Sequence, residues 1–409
     1  MSKLFEFVEN GCITTPVGFK ASGVTAGLKA SGNADMALIF SEMPANFAGA
    51  FTSCLFAAAP VQLDRQRVLN SKSLQAIIVN SGNANACTGQ KGLKNAEETC
   101  VMTAEKLGIE AESVMVSSTG RIGVQLDMTK IVKGVELAVN ALTDDGGHIA
   151  ARAIMTTDTV PKTTAVTFEI DGKKVSIGAM TKGAGMISPK MTLPHATMLC
   201  YITTDAKIEN ALLAKMLEIS VGLSFNRITI DNDMSTNDSC IIMANGKSGA
   251  IVSEDSSAGE LFQDALNALL ENLAIAMVKD GEGATKLINI KIHGAASRGD
   301  AEKAAKAVAN SMLCKTAWFG GDPNWGRVAA ALGYSGATFE QEKVDFYYNS
   351  KPVIKNGQDA GTPEKELAAE MAGKEFTISC YLNAGTATYN VWTSDLSYDY
   401  VKINAEYTT

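Results

Sequence analysis

Apolar and polar residues follow two rhythms along this chain. Short β-branched runs stand at LQAIIVN (74–80), SVMVSS (113–118), TAVTFEI (164–170), LCYITT (199–204), CIIMAN (240–245), LINIKI (287–292) and FTISCYL (376–382). Each reads as a strand. Between them, helical spacing marks 94–107, 127–142, 206–221, 258–279 and 300–313. In the fourth, Leu261, Ala265, Leu269, Leu273 and Met277 recur every four residues, with Asp264, Asn267 and Glu271 between them. That pattern predicts a helix with one buried stripe. The interleaving predicts a mixed α/β (α+β) fold with helix-covered sheets in two main domains. GEGATK (281–286) follows the long helix and precedes strand-rich sequence, placing an N-terminal domain at 1–282 and a C-terminal α+β domain at 283–409. NSKPVIKNGQDAGTP (349–363) reads as a surface loop.

Composition narrows the function classes. A hydrophobic share of 46% with 20% charged residues excludes disorder over any large part of the chain. The net charge is −8 and Lys and Arg form no basic run, which argues against nucleic acid and anionic membranes as partners. Glu6 and Glu9 break the only apolar patch near the N-terminus, so no signal-peptide core is read there. ALLENLAIAMVKD is interrupted by Glu271 and Asn272 and reads as too short to span a bilayer. The expected location is the cytoplasm, or a matrix or plastid after loss of a leader. Eight cysteines lack C-x-x-C spacing and there are three histidines, so no metal site is expected. The thiols read as small buried hydrophobes in a reducing compartment.

Several stretches carry more chemistry than a scaffold needs. In NSGNANACTG (80–89), Asn and Gly after a strand imply a turn with positive φ. In SSTGRIG (117–123), Thr119 and Gly120 can aim a hydroxyl and a backbone N–H at one point, as an oxyanion requires; a plain tight turn looks the same. In KGAGMISPKMTLPHATMLCYITTDA (182–206), flexible glycines and stiff prolines lead to Ala196-Thr197 at the head of a strand. This suits self-cleavage by an N-to-O acyl shift. The product would carry an N-terminal threonine whose α-amine, with a pKa near 7.7–8.0, serves as base for its own hydroxyl. A threonine simply opening a strand is the plainer alternative. Asp231, Asp233 and Asp238 suggest calcium, but the EF-hand's terminal Glu is lacking and a hydrogen-bonded Asx turn fits equally well. DGEGATK (280–286) puts an acid between glycines. In GGDPNWGRVAAALGYSG (320–336), Trp325 and Arg327 could bind ligand or close a turn, and the structural reading is favoured.

Together these stretches resemble the ornithine acetyltransferase family, the bifunctional glutamate/ornithine N-acetyltransferases of arginine biosynthesis. The likeness runs through GFKASGVTAGLKASG (18–32), NSGNANACTG, STGRIG, MTTDT (155–159), KGAGMISP, ATMLCYITTDA, STND (235–238), DGEGATK, GDPNWGR and NAEYTT (404–409). It implies a self-processed N-terminal-threonine acyltransferase fold. Cleavage at Ala196-Thr197 would give an α-chain of residues 1–196 and a β-chain of 197–409, joined in a homo-oligomer of αβ pairs. It implies acetyl transfer from N-acetylornithine to glutamate by a ping-pong route, with Thr197 as nucleophile and Thr119 and Gly120 as the oxyanion pair. Substrate-binding positions fall on Thr156, Lys182, Thr197, Glu282, Asn404 and Thr409. Lys182 suits a carboxylate and Glu282 an α-ammonium, while a C-terminal carboxylate at Thr409 would suit the ornithine side-chain amine. No cofactor or metal is implied. Whether acetyl-CoA also serves as co-substrate stays open, since both kinds of member share these motifs.

One departure from the family pattern is TLPH (192–195), four residues between Met191 and Ala196. It would either loop outward at little entropic cost or relax the strain that drives cleavage. ATML and TTDA are intact, so Thr197 remains the nucleophile in preference to Thr192. Two alternatives stay open: a self-processed amidase or aminopeptidase that hands its acyl group to water, and a non-catalytic amino-acid-binding homologue.

Overall fold

The computed structural model describes residues 4–188 and 198–406. The chain divides into two compact units. The first takes the chain up to Asn226 together with Met234–Met277, and the second takes Arg227–Asp233 and the chain from Val278 onward. Each strand named above is present, the mixed α/β class holds, and the helices are found except that 300–313 covers the end of Arg298–Ala309 and the start of a separate helix, Met312–Gly320. The junction falls in the last turn of helix Ser257–Lys279, so Glu282 belongs to the second unit.

The first unit is built on a nine-stranded sheet among the described residues. From the edge strand Glu6–Phe7 it runs Lys162–Ile170, Lys173–Lys182, Leu199–Thr204, Ser239–Ala244, Met36–Phe51, Leu74–Asn83 and Val114–Arg121, with Phe19–Val24 paired to Met36–Phe51 off this path. Leu199–Thr204 pairs antiparallel with Lys173–Lys182 and parallel with Ser239–Ala244. The 16-residue strand Met36–Phe51 has no counterpart among the runs read from sequence. Its apolar letters are broken by Met-Pro-Ala-Asn (43–46), where the ladder to Leu74–Asn83 shifts register between Phe40 and Ala45. Pro44 has no N–H to give, and a bulge is where a strand tolerates that.

LQAIIVN is apolar at successive positions because both of its faces are covered. Ala76 and Ile78 pack with Ala96 and Cys100 of helix Gly89–Leu107 and with Ile131 and Val135 of helix Met128–Asn140. Ile77 and Val79 pack on the other face with Tyr201, Met243 and Ile154. A strand buried on both sides loses its period of two.

Helix Ser257–Lys279 is 23 residues long, enough to cross a bilayer, so the length argument drawn from the apolar run alone does not stand. Burial decides the matter instead. Phe262, Leu266, Leu269, Leu270, Leu273 and Met277 are all buried inside the protein, and Phe262 meets Phe168 edge-on. This is a core helix.

The second unit holds a seven-stranded sheet whose centre is Asp345–Tyr348, Glu375–Tyr381, Leu287–Ala295 and Ala387–Ser394. Here the alternation is kept. Ile288, Ile290 and Ile292 face a core shared with Ala301, Ala304, Val308 and Trp318 from two helices, while His293 on the opposite face stacks on Tyr381. Residues 349–363 are not a plain loop: Lys351–Lys355 and Gln358–Asp359 form a hairpin. Its turn is Asn356-Gly357, at φ 49° and 73°, the pair that a type I′ turn demands. Trp325 opens helix Trp325–Gly333, and Arg327 donates to the Leu313 carbonyl at 2.7 Å, the structural role read for that stretch.

Candidate active site

Two of the conspicuous stretches meet because their strands are parallel neighbours. Val114–Arg121 lies beside Leu74–Asn83 in a register that sets Ser118 against Asn80, Thr119 against Ser81 and Gly120 against Gly82. Parallel strands end on the same side, so the loops that leave them are brought together. The Ser118 hydroxyl donates to Asn80 Oδ1 at 2.6 Å. Asn237, from STND, donates its amide to the Ala84 carbonyl at 2.5 Å and to the Ser118 carbonyl at 2.8 Å, tying a third motif to both. Asn85 adopts φ 47°, the geometry expected of an Asn-rich turn, and Cys87 adopts 56°, which sequence reasoning did not anticipate. Gly120 sits at φ 126°, and a Cβ there would lie 2.5 Å from the Gly82 carbonyl carbon. No side chain fits.

Lys182 ends strand Lys173–Lys182 and is buried. Its ammonium donates to Thr119 Oγ1 at 3.2 Å and to Thr156 Oγ1 at 2.8 Å. Thus three of the predicted residues, Thr119, Thr156 and Lys182, share one hydrogen-bonded cluster, with Gly120 adjoining it. Beneath them lies Asp158, from the MTTDT stretch. Its Oδ1 accepts from Lys162 Nζ at 2.7 Å and from the Gly183 N–H at 2.7 Å, and its Oδ2 accepts from the Thr156 N–H at 3.0 Å. Burial alone would raise this carboxyl, but the charges of Lys182 and Lys162 and the hydrogen bonds overrule it and hold it well below the ordinary carboxylate range.

A third lysine joins them. Lys29 donates to the carbonyls of Ala34 at 2.8 Å and Ala153 at 3.3 Å. Burial first, then the neighbouring Lys182, brings its pKa down to about 8 despite Asp35 and Asp158. The Lys29 loop is gathered by Asp35, which accepts backbone N–H bonds from Ala26, Gly27, Leu28 and Lys29 at 2.5–3.0 Å. Sequence reasoning gave Lys29, Asp35, Asp158 and Lys162 no role. Lys29 and Asp158 left a trace only as members of the quoted stretches GFKASGVTAGLKASG and MTTDT.

The Lys162–Asp158 side chains are 1% and 0% exposed, so this pair is a buried one. Lys162→Ala should therefore cost up to roughly 3–5 kcal/mol of stability, because it takes from a buried carboxylate one of the two cations that balance it. Urea unfolding at pH 7 measures it. A carboxyl held low in the folded state gives stability that is present above its unfolded pKa, near 4, and lost as pH falls further. The gap between parent and variant should accordingly narrow below about pH 4.

In the second unit, Glu282 is placed by the return of the C-terminal segment. Its Oε2 accepts from Asn404 Nδ2 at 2.8 Å, so these two predicted residues are in contact. Gly283 has φ 65°, and a Cβ there would meet the Tyr400 nitrogen at 2.5 Å. Ser397 Oγ donates to the Gly283 carbonyl at 2.6 Å, and Asp395 Oδ1 accepts the N–H groups of Thr285 and Lys286 at 2.8 and 3.0 Å. DGEGATK is thereby fixed at its middle and at its C-terminal end. Lys315, fully buried, donates to Thr393 Oγ1 at 3.0 Å, and burial brings its pKa down to about 7.

The acid-rich loop is divided between the two units. Asp231 and Asp233 belong to the second unit and Asp238 to the first. The Asp233 N–H donates to Asp231 Oδ1 at 3.2 Å, the Asx geometry weighed against calcium. Among the described residues no group of three or more His, Cys, Asp or Glu is placed to hold a metal ion. Ala196, Thr197, the TLPH stretch at 192–195, Thr192 and Thr409 lie outside the described residues.

Comparison with known proteins gives a consistent result. The ArgJ family model matches residues 20–409. An arginine biosynthesis bifunctional protein ArgJ from Caldanaerobacter subterraneus subsp. tengcongensis is 47% identical over 405 residues, covering 98% of this chain and 99% of its own. A glutamate N-acetyltransferase from Methanocaldococcus jannaschii is 45% identical over 411 residues, covering 98% of this chain and all of its own. Among solved structures, a chain of the Mycobacterium tuberculosis ornithine acetyltransferase, complexed with ornithine, is 42% identical; it covers 46% of this chain and all of that one, with a TM-score of 0.43.

Proposed function

We propose, from the premise that this chain belongs to the ArgJ family, that it transfers acetyl from N-acetylornithine to glutamate by way of an acetyl-threonine. The observation that carries the reading is the cluster of Lys182, Thr119 and Thr156 beside Gly120, where a buried ammonium and hydroxyls converge at the end of a parallel strand pair. Scaffold alone has little use for a buried lysine bonded to two threonine hydroxyls.

The chain first cleaves itself between Ala196 and Thr197. The Thr197 hydroxyl attacks the Ala196 carbonyl, the C–N bond breaks, and water hydrolyses the resulting ester. The freed α-amine then takes the proton from the Thr197 hydroxyl as that oxygen attacks the acetyl carbon of N-acetylornithine. Thr119 and Gly120 stabilise the oxyanion, and ornithine leaves with the proton. Glutamate's amine attacks the ester in the second half, regenerating Thr197 and giving N-acetylglutamate. In this reading Lys182 takes a substrate carboxylate, Glu282 a substrate ammonium with Asn404 holding its carboxylate, and Thr156 orients Lys182. The terminal carboxylate of Thr409 takes the ornithine side-chain amine. No metal or cofactor enters these steps.

Incubation with N-acetylornithine, with and without glutamate, tests the reaction. N-acetylglutamate should form in step with ornithine, and ornithine should exchange into N-acetylornithine without glutamate, as a ping-pong route requires. Acetate release without N-acetylglutamate would instead make the protein a hydrolase of the amidase or aminopeptidase kind. Acetyl-CoA offered in place of N-acetylornithine tests the second donor.

A further inference from the structure

Lys182 cannot place itself. A lysine side chain has four rotatable bonds and a compact charge with no fixed direction, yet its ammonium must be held near two hydroxyls and a developing oxyanion. What surrounds it is unusual. One carboxylate, Asp158, accepts the N–H of Gly183, the residue after Lys182, at 2.7 Å, and the N–H of Thr156 at 3.0 Å. Thr156 in turn accepts from Lys182 at 2.8 Å. The same carboxylate accepts from Lys162 at 2.7 Å within the buried pair. Gly183 stands at φ 150° in a close fit, where a Cβ would meet Ile187 Cδ1 at 2.8 Å. Asp158 thus joins the backbone on both sides of the Lys182–Thr156 bond.

We propose that Asp158 is the positioning residue of the acyl-transfer site, acting through Lys182 and Thr156 and not through its own charge; this rests on the functional reading of Lys182 given above. The two modes of action have opposite signs. A negative charge beside the Lys182 ammonium weakens its pull on a substrate carboxylate, so losing that charge alone would tighten glutamate binding and lower KM. Losing the anchor frees the Thr156 turn and the Lys182 backbone, which raises KM and lowers kcat together, because misplacement by about 1 Å costs on the order of a hundredfold.

The experiment uses the full self-processed protein and reads kcat and KM for glutamate, with circular dichroism to confirm folding. Asp158→Asn is expected to raise KM and to lower kcat/KM by about a hundredfold. A lowered or unchanged KM overturns the proposal. Because that variant strands the Lys162 charge, Asp158→Asn/Lys162→Met removes both members of the pair. Its kcat/KM should stay about a hundredfold down, whereas recovery of parent kinetics would show that only the stranded charge mattered and would also overturn the proposal. Lys182→Met separates this proposal from the reading beneath it. Parent kinetics in Lys182→Met would remove Lys182 from the site, while an impaired Lys182→Met beside unimpaired Asp158 variants would count against positioning alone.

Discussion

Thr197→Ala should emerge as one intact 43.0 kDa polypeptide with no measurable acetyl transfer. Two losses coincide in this variant. Without the hydroxyl, the Ala196 carbonyl has no neighbouring nucleophile, so the backbone bond survives and no α-amine is released. Without the amine there is no base of suitable pKa, and without the oxygen there is nothing to carry acetyl. Removing a nucleophile from a concerted group costs on the order of 10⁶-fold in comparable hydrolases. The readout is intact mass under denaturing conditions beside an N-acetylornithine assay. Parent protein should give two masses, for residues 1–196 and 197–409. Thr197→Ser, which keeps an oxygen, should still split and retain some transfer. If Thr197→Ala still splits and works, the nucleophile lies elsewhere; splitting at Thr192 would make that residue the one.

Gly120→Ala should give the next largest effect, a fall in kcat of about 10²–10³-fold with KM little changed. The added methyl has no room, since its three nearest neighbours would be backbone atoms of Gly82 and Asn83 at 2.5–2.8 Å. A flexible side chain could swing away, but paired backbone cannot. The φ of 126° is also a conformation that alanine avoids. The strand end must therefore shift, and it takes the Thr119–Gly120 peptide out of line with the oxyanion it is meant to face. The substrate binding proposed for Lys182 comes from a different strand, and its bond to Thr156 does not pass through this turn, so the loss should appear chiefly in kcat. A variant with raised KM and parent kcat would mean that this turn binds substrate and does not stabilise charge.

Local letters raised these two residues as candidates without deciding them, and the run of motifs along the whole chain singled them out. A threonine before glycine after a strand, or a small residue before threonine at the head of one, is visible in a handful of letters. The buried anchor was not visible. Asp158, Lys162, Lys29 and Asp35 are ordinary charged residues in one dimension, and only pairing of Lys162–Ile170 with Lys173–Lys182 brings Gly183 back to Asp158. The fold shows the same division. LINIKI and the long helix were legible from their periods, since each presents one face to a core. Met36–Phe51 was not, because its proline-bearing middle reads as a break and only the bulge makes it one strand. The Asn356-Gly357 hairpin carried a recognisable turn pair, but the flanking strands are too short and too polar to show alternation. Arg227–Asp233 joins the second unit because Ile228 and Thr229 pair with Trp392 and Thr393, a partnership more than 160 residues away in the chain.

Strand Leu199–Thr204 has one further consequence. It lies in the interior of its sheet, held by Lys173–Lys182 on one flank and by Ser239–Ala244 on the other, and the latter is itself clasped by Met36–Phe51. A cut before Thr197 would leave these ladders untouched while setting two neighbouring strands of one polypeptide, Leu199–Thr204 and Ser239–Ala244, between strands of the other. The halves would be interwoven in the first unit, whose core takes Ile77 and Val79 from one and Tyr201 and Met243 from the other. Unfolding would then turn a one-molecule equilibrium into a two-molecule one, so that dilution works against recovery in a way it never could for the precursor.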